Sequence, residues 1–277
     1  MDASAAATTL QRQGFVHVPA VFGPEEVQLL RRQMDALFDD PALQGREDPE
    51  LHDSQYVQKG GMLLRNTISL APSFLNLLTH PVLLALGEAA LGPNCRFCGQ
   101  NGLRSAPGMA IDTFHVDCPV IFPLPEGTPR HEYPPPLLWL TVQIALSDVD
   151  SVDHGPTQYV PCSHMSGRYP PRDTPHPSFE GQGPVSMLCK AGDVYVQNPN
   201  CWHRGVSGAA ACLLRALGLT DSSAARHLQH IAICCAGTEH VRPDAILVPD
   251  PVCRRLGVPT VRMDEPSSGA RVGAAAC

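Results

Sequence analysis

Leu138-Trp139-Leu140-Thr141-Val142-Gln143-Ile144-Ala145-Leu146 is the most regular stretch of this 277-residue chain. Leu138, Leu140, Val142, Ile144 and Leu146 share one face of an extended strand, and Trp139, Thr141, Gln143 and Ala145 share the other. The first face is purely apolar and belongs against a core. The second is mixed, as the lining of a ligand-holding barrel is. Around it, from Cys95 to about Thr220, short extended runs are separated by glycine and proline: 157–161, 185–190, 193–197 and 213–220. Many short strands at this spacing predict a sandwich or jelly roll. The proline-rich piece 119–136 cannot pair as a central strand and is read as an excursion near the barrel mouth.

Upstream, residues 14–19 alternate and predict a first strand. A helix follows: Pro24 suits its first turn, Glu25 and Glu26 suit the positive end of its dipole, and Val27, Leu30, Met34 and Leu37 form its stripe. Residues 40–60 are polar and read as a mobile loop. Two short helices are expected at 73–79 and Pro81–Leu91, the second closed by Gly92-Pro93.

Hydrophobic residues make up 43% and charged residues 17%, enough apolar material for one large domain. The net charge is −7 and basic residues form no run or stripe, so neither nucleic acid nor an anionic membrane surface is an expected partner. Met1-Asp2-Ala3-Ser4 has no positive flank leading into an apolar run, and no apolar run reaches the ~18 residues of a membrane span. Eleven cysteines, an odd count beside no export signal, read as free thiols in a reducing compartment, which makes the cytoplasm the expected location.

Candidate chemistry sits just before the regular strand, in Thr113-Phe114-His115-Val116-Asp117. His115 and Asp117 are two apart, so an extended backbone presents imidazole and carboxylate side by side. His203, in Asn200-Cys201-Trp202-His203-Arg204-Gly205, supplies a remote third donor. Two histidines and one carboxylate on one face of a metal leave other positions open, the arrangement of non-haem Fe(II) oxygenase sites. His-x-Asp by itself is weak: a hydrogen-bonded polar pair in a strand, with His203 packed in a core, gives the same letters. Zinc hydrolases also use two histidines and a carboxylate, but no His-Glu-x-x-His signature is present.

The order of the pieces adds more. Phe114-His115-Val116-Asp117 is followed by Gly155-Pro156-Thr157-Gln158-Tyr159-Val160-Pro161-Cys162-Ser163-His164-Met165-Ser166-Gly167-Arg168, then by Gly192-Asp193-Val194, Trp202-His203-Arg204-Gly205 and Arg215. With the Gly14-Phe15-Val16 strand and Pro24-Glu25-Glu26 helix, this series resembles the phytanoyl-CoA dioxygenase-like family of Fe(II)- and 2-oxoglutarate-dependent oxygenases over residues 10–220. The resemblance implies an all-β core with flanking helices, a double-stranded β-helix (cupin-like jelly roll). Its core would occupy about 95–220 of a single domain spanning 1–262, with 263–277 a disordered tail. It implies His115, Asp117 and His203 as catalytic iron ligands, and 2-oxoglutarate and O2 as cosubstrates, with ascorbate as a reductant. Arg215 matches the residue that pairs with the distal carboxylate of 2-oxoglutarate, a role suited to a planar, permanently charged fork. Arg204 is the fallback, but it adjoins a ligand and would point away.

Gln143 aligns near a cosubstrate contact, with a Gln bonded inside the barrel as the competing account. Arg65 falls where relatives carry a basic residue near the cosubstrate or substrate, and a solvated surface arginine competes there. His164 belongs to a turn signature that is structural in relatives. His227 and His230 are spaced to share a helix face and read as surface groups. Cys118, next to the site, is an oxidation-prone candidate, and Cys162 stands where relatives carry glycine. The implied reaction is hydroxylation of a small or medium organic molecule with release of succinate and CO2. The presence of Asp117 disfavours the halide-binding variant of the family. A non-catalytic binding or sensor protein on the same fold is the alternative. Neither the substrate nor the oligomeric state is readable.

Overall fold

The first element is one the sequence reading did not assign. In the computed structural model, which describes residues 1–46, 57–58, 63–105, 110–206 and 226–234, helix α1 spans Ala3–Gln13. Asp2 caps it, accepting from the amides of Ser4 and Ala5 at 3.0 and 3.1 Å. Gly14, at φ +87°, ends it in the left-handed conformation glycine favours. Its buried face is only Ala6, Ala7 and Leu10, a stripe too slight to read from sequence.

Strand β1 is Phe15–Val18, and helix α2 is Pro24–Phe38. The Glu26 carboxylate reaches back to the Gly23 amide at 3.1 Å and closes the first turn. The buried stripe of α2 runs Val27, Leu30, Met34 and then Phe38, with Leu37 at its margin. Each such side chain contributes about 1.5–3 kcal/mol by leaving water. Strands β2 (Val57–Gln58) and β3 (Leu63–Leu64) pair with each other, so part of the expected loop 40–60 is sheet. Residues 47–56 and 59–60 of that loop lie outside the described residues.

Helices α4 (Pro72–Asn76) and α5 (Pro81–Leu91) fall on the two expected helical segments, and α3 (Thr67–Leu70), which was not expected, precedes them. They lead into β4 (Arg96–Ser105), which begins within Cys95-Arg96-Phe97-Cys98, a Cys-x-x-Cys spacing that corrects the expectation of cysteines scattered without such pairs. The regular stretch forms β5 (Trp139–Ala145), buried at every position. Then come β6 (Thr157–Tyr159), β7 (Val185–Ser186), β8 (Val194–Gln197) and β9 (His203–Gly205). Last is β10 (Arg226–Cys234), in a segment to which the sequence reading gave no role. It is a strand, so the helical spacing proposed for His227 and His230 does not apply. The run 213–220 lies outside the described residues.

Two antiparallel sheets result. The larger has the order β1-β8-β5-β10-β4-β3-β2, and the smaller β7-β6-β9. The all-apolar face of β5 (Leu140, Val142, Ile144) packs with Val194 and Val196 of β8 against α1, α2 and α5. Gly102 of β4 lies beneath Met34, where a β-carbon would come within 3.1 Å of its methyl. The other face meets the small sheet: Phe15, Leu103, Ala145 and Tyr195 pack with Tyr159, Met187 and Cys189. The order is therefore helices, large sheet, small sheet. The excursion 119–136 carries no strand, as its prolines require. Among the described residues no single helix is long and apolar enough to cross a membrane.

Candidate metal centre

His115 lies outside the named strands, yet its backbone is bridged to β9. Its amide donates to the His203 carbonyl at 2.9 Å, and the His203 amide donates to the His115 carbonyl at 3.0 Å. Two residues on, the Asp117 amide donates to the Pro199 carbonyl at 2.8 Å. The segment 115–117 is thereby laid antiparallel to 199–203. The imidazoles become cross-strand neighbours, with ring centroids 4.4 Å apart.

Each ring is oriented by its own strand. His115 Nδ1 lies 2.8 Å from the Thr113 carbonyl, and His203 Nδ1 lies 2.8 Å from the Cys201 carbonyl. A carbonyl only accepts, so each Nδ1 carries the proton and donates, and the neutral ring keeps its lone pair at Nε2. Both Nε2 atoms face Asp117: His115 Nε2 is 3.7 Å from Oδ1, and His203 Nε2 is 3.4 Å from Oδ2. One ligand atom from each residue lies within 4.8 Å of the others. Two imidazole lone pairs and a carboxylate that close together fit a divalent metal, with the backbone bonds as the second layer such sites use. His203 is buried, while the His115 and Asp117 side chains are 32% and 33% exposed, so the centre opens on one side. Burial disfavours the charged form of His203. The adjacent Asp117 carboxylate and the Cys201 carbonyl outweigh it and leave the pKa of His203 raised.

A residue the sequence reading missed completes the arrangement. Gln197, the last residue of β8 and 1% exposed, donates from Nε2 to Asp117 Oδ2 at 2.7 Å. Its Oε1 accepts from the Tyr159 hydroxyl at 2.5 Å and from Gln143 Nε2 at 2.6 Å. The available signal was a carboxamide closing the apolar run Val194-Tyr195-Val196. Gln143 is buried, and its nitrogen is held by Tyr159 and Gln197.

The remaining candidates fall as follows. Arg204 points away, as expected: its Nε donates to Gln158 at 3.0 Å and its guanidinium lies 4.6 Å over the Phe114 ring. Arg65, following β3, is partly buried. Arg215 lies outside the described residues. His164 is a turn anchor: its Nε2 bonds to the Gln11 carbonyl at 2.9 Å, and burial lowers its pKa. Cys118 is buried beside Cys98 and Trp139, and burial pushes its thiol pKa up, the opposite of a reactive cysteine. Cys162 has φ +63°, a left-handed conformation that glycine, the residue expected here from the resemblance, adopts without strain.

Arg168 governs the excursion. Its guanidinium donates to the carbonyls of Pro125, Thr128 and Pro129, and its own carbonyl accepts from the indole N–H of Trp202 at 2.9 Å. One residue thus ties the excursion to the neighbour of His203.

A sequence profile of the phytanoyl-CoA dioxygenase family matches residues 10–208. Among solved structures, HygX from Streptomyces hygroscopicus, determined with nickel and 2-oxoglutarate, is similar at 19% identity and a TM-score of 0.59, covering 84% of this chain and 87% of HygX. The epimerase SnoN, in complex with Fe3+, alpha ketoglutarate and nogalamycin RO, is similar at 20% and 0.58, covering 90% and 96%. The carbocyclase SnoK of nogalamycin biosynthesis is similar at 21% and 0.58, covering 89% and 93%. At these identities the likeness is one of fold.

Proposed function

The chain belongs to the phytanoyl-CoA dioxygenase family, and on that premise we propose that it is an Fe(II)- and 2-oxoglutarate-dependent dioxygenase that hydroxylates a small or medium organic molecule. The observation that carries the proposal is the convergence of His115 Nε2, the Asp117 carboxylate and His203 Nε2 within 4.8 Å. The two-sheet core is read as the family's double-stranded β-helix, within one domain over 1–262. A cytoplasmic setting belongs to the same reading.

Iron bound with 2-oxoglutarate and O2 supplies the oxidising chemistry, with succinate and CO2 as coproducts and ascorbate as an external reductant. The protein contributes placement. His115 and His203 would each offer a fixed Nε2 lone pair, and Asp117, two residues after His115 on the same segment, a carboxylate facing both. The exposed side of His115 and Asp117 leaves room for exogenous oxygen ligands. Arg215 would pair with the far carboxylate of 2-oxoglutarate, with Gln143 and Arg65 on its surroundings.

Nothing among the described residues around the site demands a substrate with a large anionic handle such as a coenzyme A thioester. Residues 110–206 contain five Lys and Arg side chains. Arg130 is paired with Glu180, Arg168 with backbone carbonyls, Lys190 with Asp148 and Asp150, and Arg204 with Gln158. Arg172 alone is left to meet a polyphosphate.

The test is succinate release from 2-oxoglutarate by the iron-loaded protein with a panel of small organic substrates. Turnover that disappears in Asp117→Ala supports the assignment, and full turnover in that variant removes the site. Product structures then separate hydroxylation from epimerisation or ring closure. Metal and 2-oxoglutarate binding without any turnover would favour the sensor reading.

A further inference from the structure

We infer that Gln197 is a positioning residue of the metal centre, holding Asp117 with one amide N–H while its other N–H caps the His203 lone pair that a metal would take. The inference rests on the oxygenase reading above and concerns what prepares that site.

A buried carboxamide is costly unless its polar atoms are bonded, and Gln197 is 1% exposed. The chemistry of its neighbours fixes which way it faces. Asp117 Oδ2, 2.7 Å away, only accepts, so the atom before it is the nitrogen. The same nitrogen is 3.3 Å from His203 Nε2. That ring has its proton on Nδ1, toward the Cys201 carbonyl, so Nε2 accepts. The two amide hydrogens of Gln197 are thus directed at two of the three ligands. On the other side, Oε1 is gripped by the Tyr159 hydroxyl and by Gln143 Nε2. Tyr159 is itself stacked on Phe15, with centroids 4.7 Å apart.

The amide is therefore pinned from behind and points forward. Asp117 needs such a hold. Its side chain is one-third exposed, and its segment is joined to β9 through an isolated bridge rather than a long ladder. Gln197 keeps Oδ2 on the His203 side and leaves Oδ1 toward His115. With the His203 lone pair committed to a metal, the capping bond would be given up and the Asp117 bond would be kept. Partners in this layer affect metal affinity by about 10–100-fold.

Cobalt(II) is the probe, titrated into metal-free protein and followed by its visible absorption. Gln197→Met keeps the volume and removes both donors. Tyr159→Phe keeps the donors and loosens the amide. The expected result is a Kd for cobalt raised about 10–100-fold in Gln197→Met, a changed absorption band, and a smaller rise in Tyr159→Phe. Melting of the metal-free proteins checks the fold. A folded Gln197→Met with wild-type affinity and band overturns the inference. If that variant does not fold, unchanged affinity in Tyr159→Phe overturns it. Failure of the wild type to bind cobalt instead overturns the metal-site reading itself.

Discussion

The backbones of His115 and His203 hold each other in both directions, amide to carbonyl at 2.9 and 3.0 Å, so their pairing does not depend on either imidazole. His115→Ala removes a ligand without breaking the bridge. The metal-free melting temperature should move little, since a partly exposed side chain is lost and the stability change stays within about 1 kcal/mol. The rise in melting temperature on adding cobalt(II), which EDTA should reverse in the wild type, should be lost in the variant. A variant stabilised by cobalt as strongly as the wild type would remove His115 from the centre.

Gly14 serves two ends at once. At φ +87° it stops α1, and a β-carbon there would lie 2.6 Å from His164 Nδ1 and 2.9 Å from Cys201 Sγ. Gly14→Ala combines left-handed strain with overpacking and should cost about 2–4 kcal/mol in urea unfolding. Cobalt affinity should fall as well, because Cys201 supplies the carbonyl that orients His203. A loss below about 0.5 kcal/mol would show that the turn can relax.

Cys162 carries the opposite strain, a side chain where φ is +63°. Cys162→Gly should stabilise the protein by about 0.5–1 kcal/mol, the penalty for left-handed backbone offset in part by the freedom glycine gains when unfolded. Equilibrium denaturation decides the sign.

Asp193 accepts from the amides of Ala20 and Lys190, both at 2.8 Å, and from His17 Nε2 at 2.9 Å. Burial raises its pKa, but these bonds outweigh burial and leave it below the usual carboxylate value. A depressed folded pKa gives stability that is full above the unfolded value and drains as pH falls through the folded one. Asp193→Asn cannot satisfy both amides and should cost about 1–3 kcal/mol at neutral pH. The gap to wild type should narrow as the solution is acidified. A gap constant down to acid pH would mean that the charge is irrelevant there.

Arg168 holds the excursion through a planar fork that lysine does not have. Arg168→Lys should make residues 119–136 several-fold more susceptible to thermolysin, since the carbonyls of Pro125, Thr128 and Pro129 lose their shared donor. An unchanged cleavage rate would mean that the prolines alone keep the excursion in place.

The strand at Trp139–Ala145 was legible because strict alternation leaves little else for it to be. That His115, Asp117 and His203 come together was suggested by the order of the flanking motifs, since His-x-Asp alone is weak. What escaped was carried by contacts rather than by pattern. Helix α1 is held by a cap and three small residues. Strand β10 pairs on both sides, with β4 and β5, although His227 and His230 suggested helical spacing. Gln197 looks like an ordinary strand end until Asp117, eighty positions earlier, is brought against it. The danger read into Cys118 came from its neighbour in sequence, whereas alternation turns it into the core.

The bonds from Thr113 and Cys201 to the imidazoles use only main-chain oxygen. Any amino acid brings that oxygen, so the identity of residue 113, whose side chain faces solvent, is free to drift over generations while the ring it steers stays put. Residue 201 is constrained for an unrelated reason, its place in the interior. Two positions with the same duty to a histidine should therefore differ in the side chains they tolerate, and a substitution library at each would separate the duty from the packing.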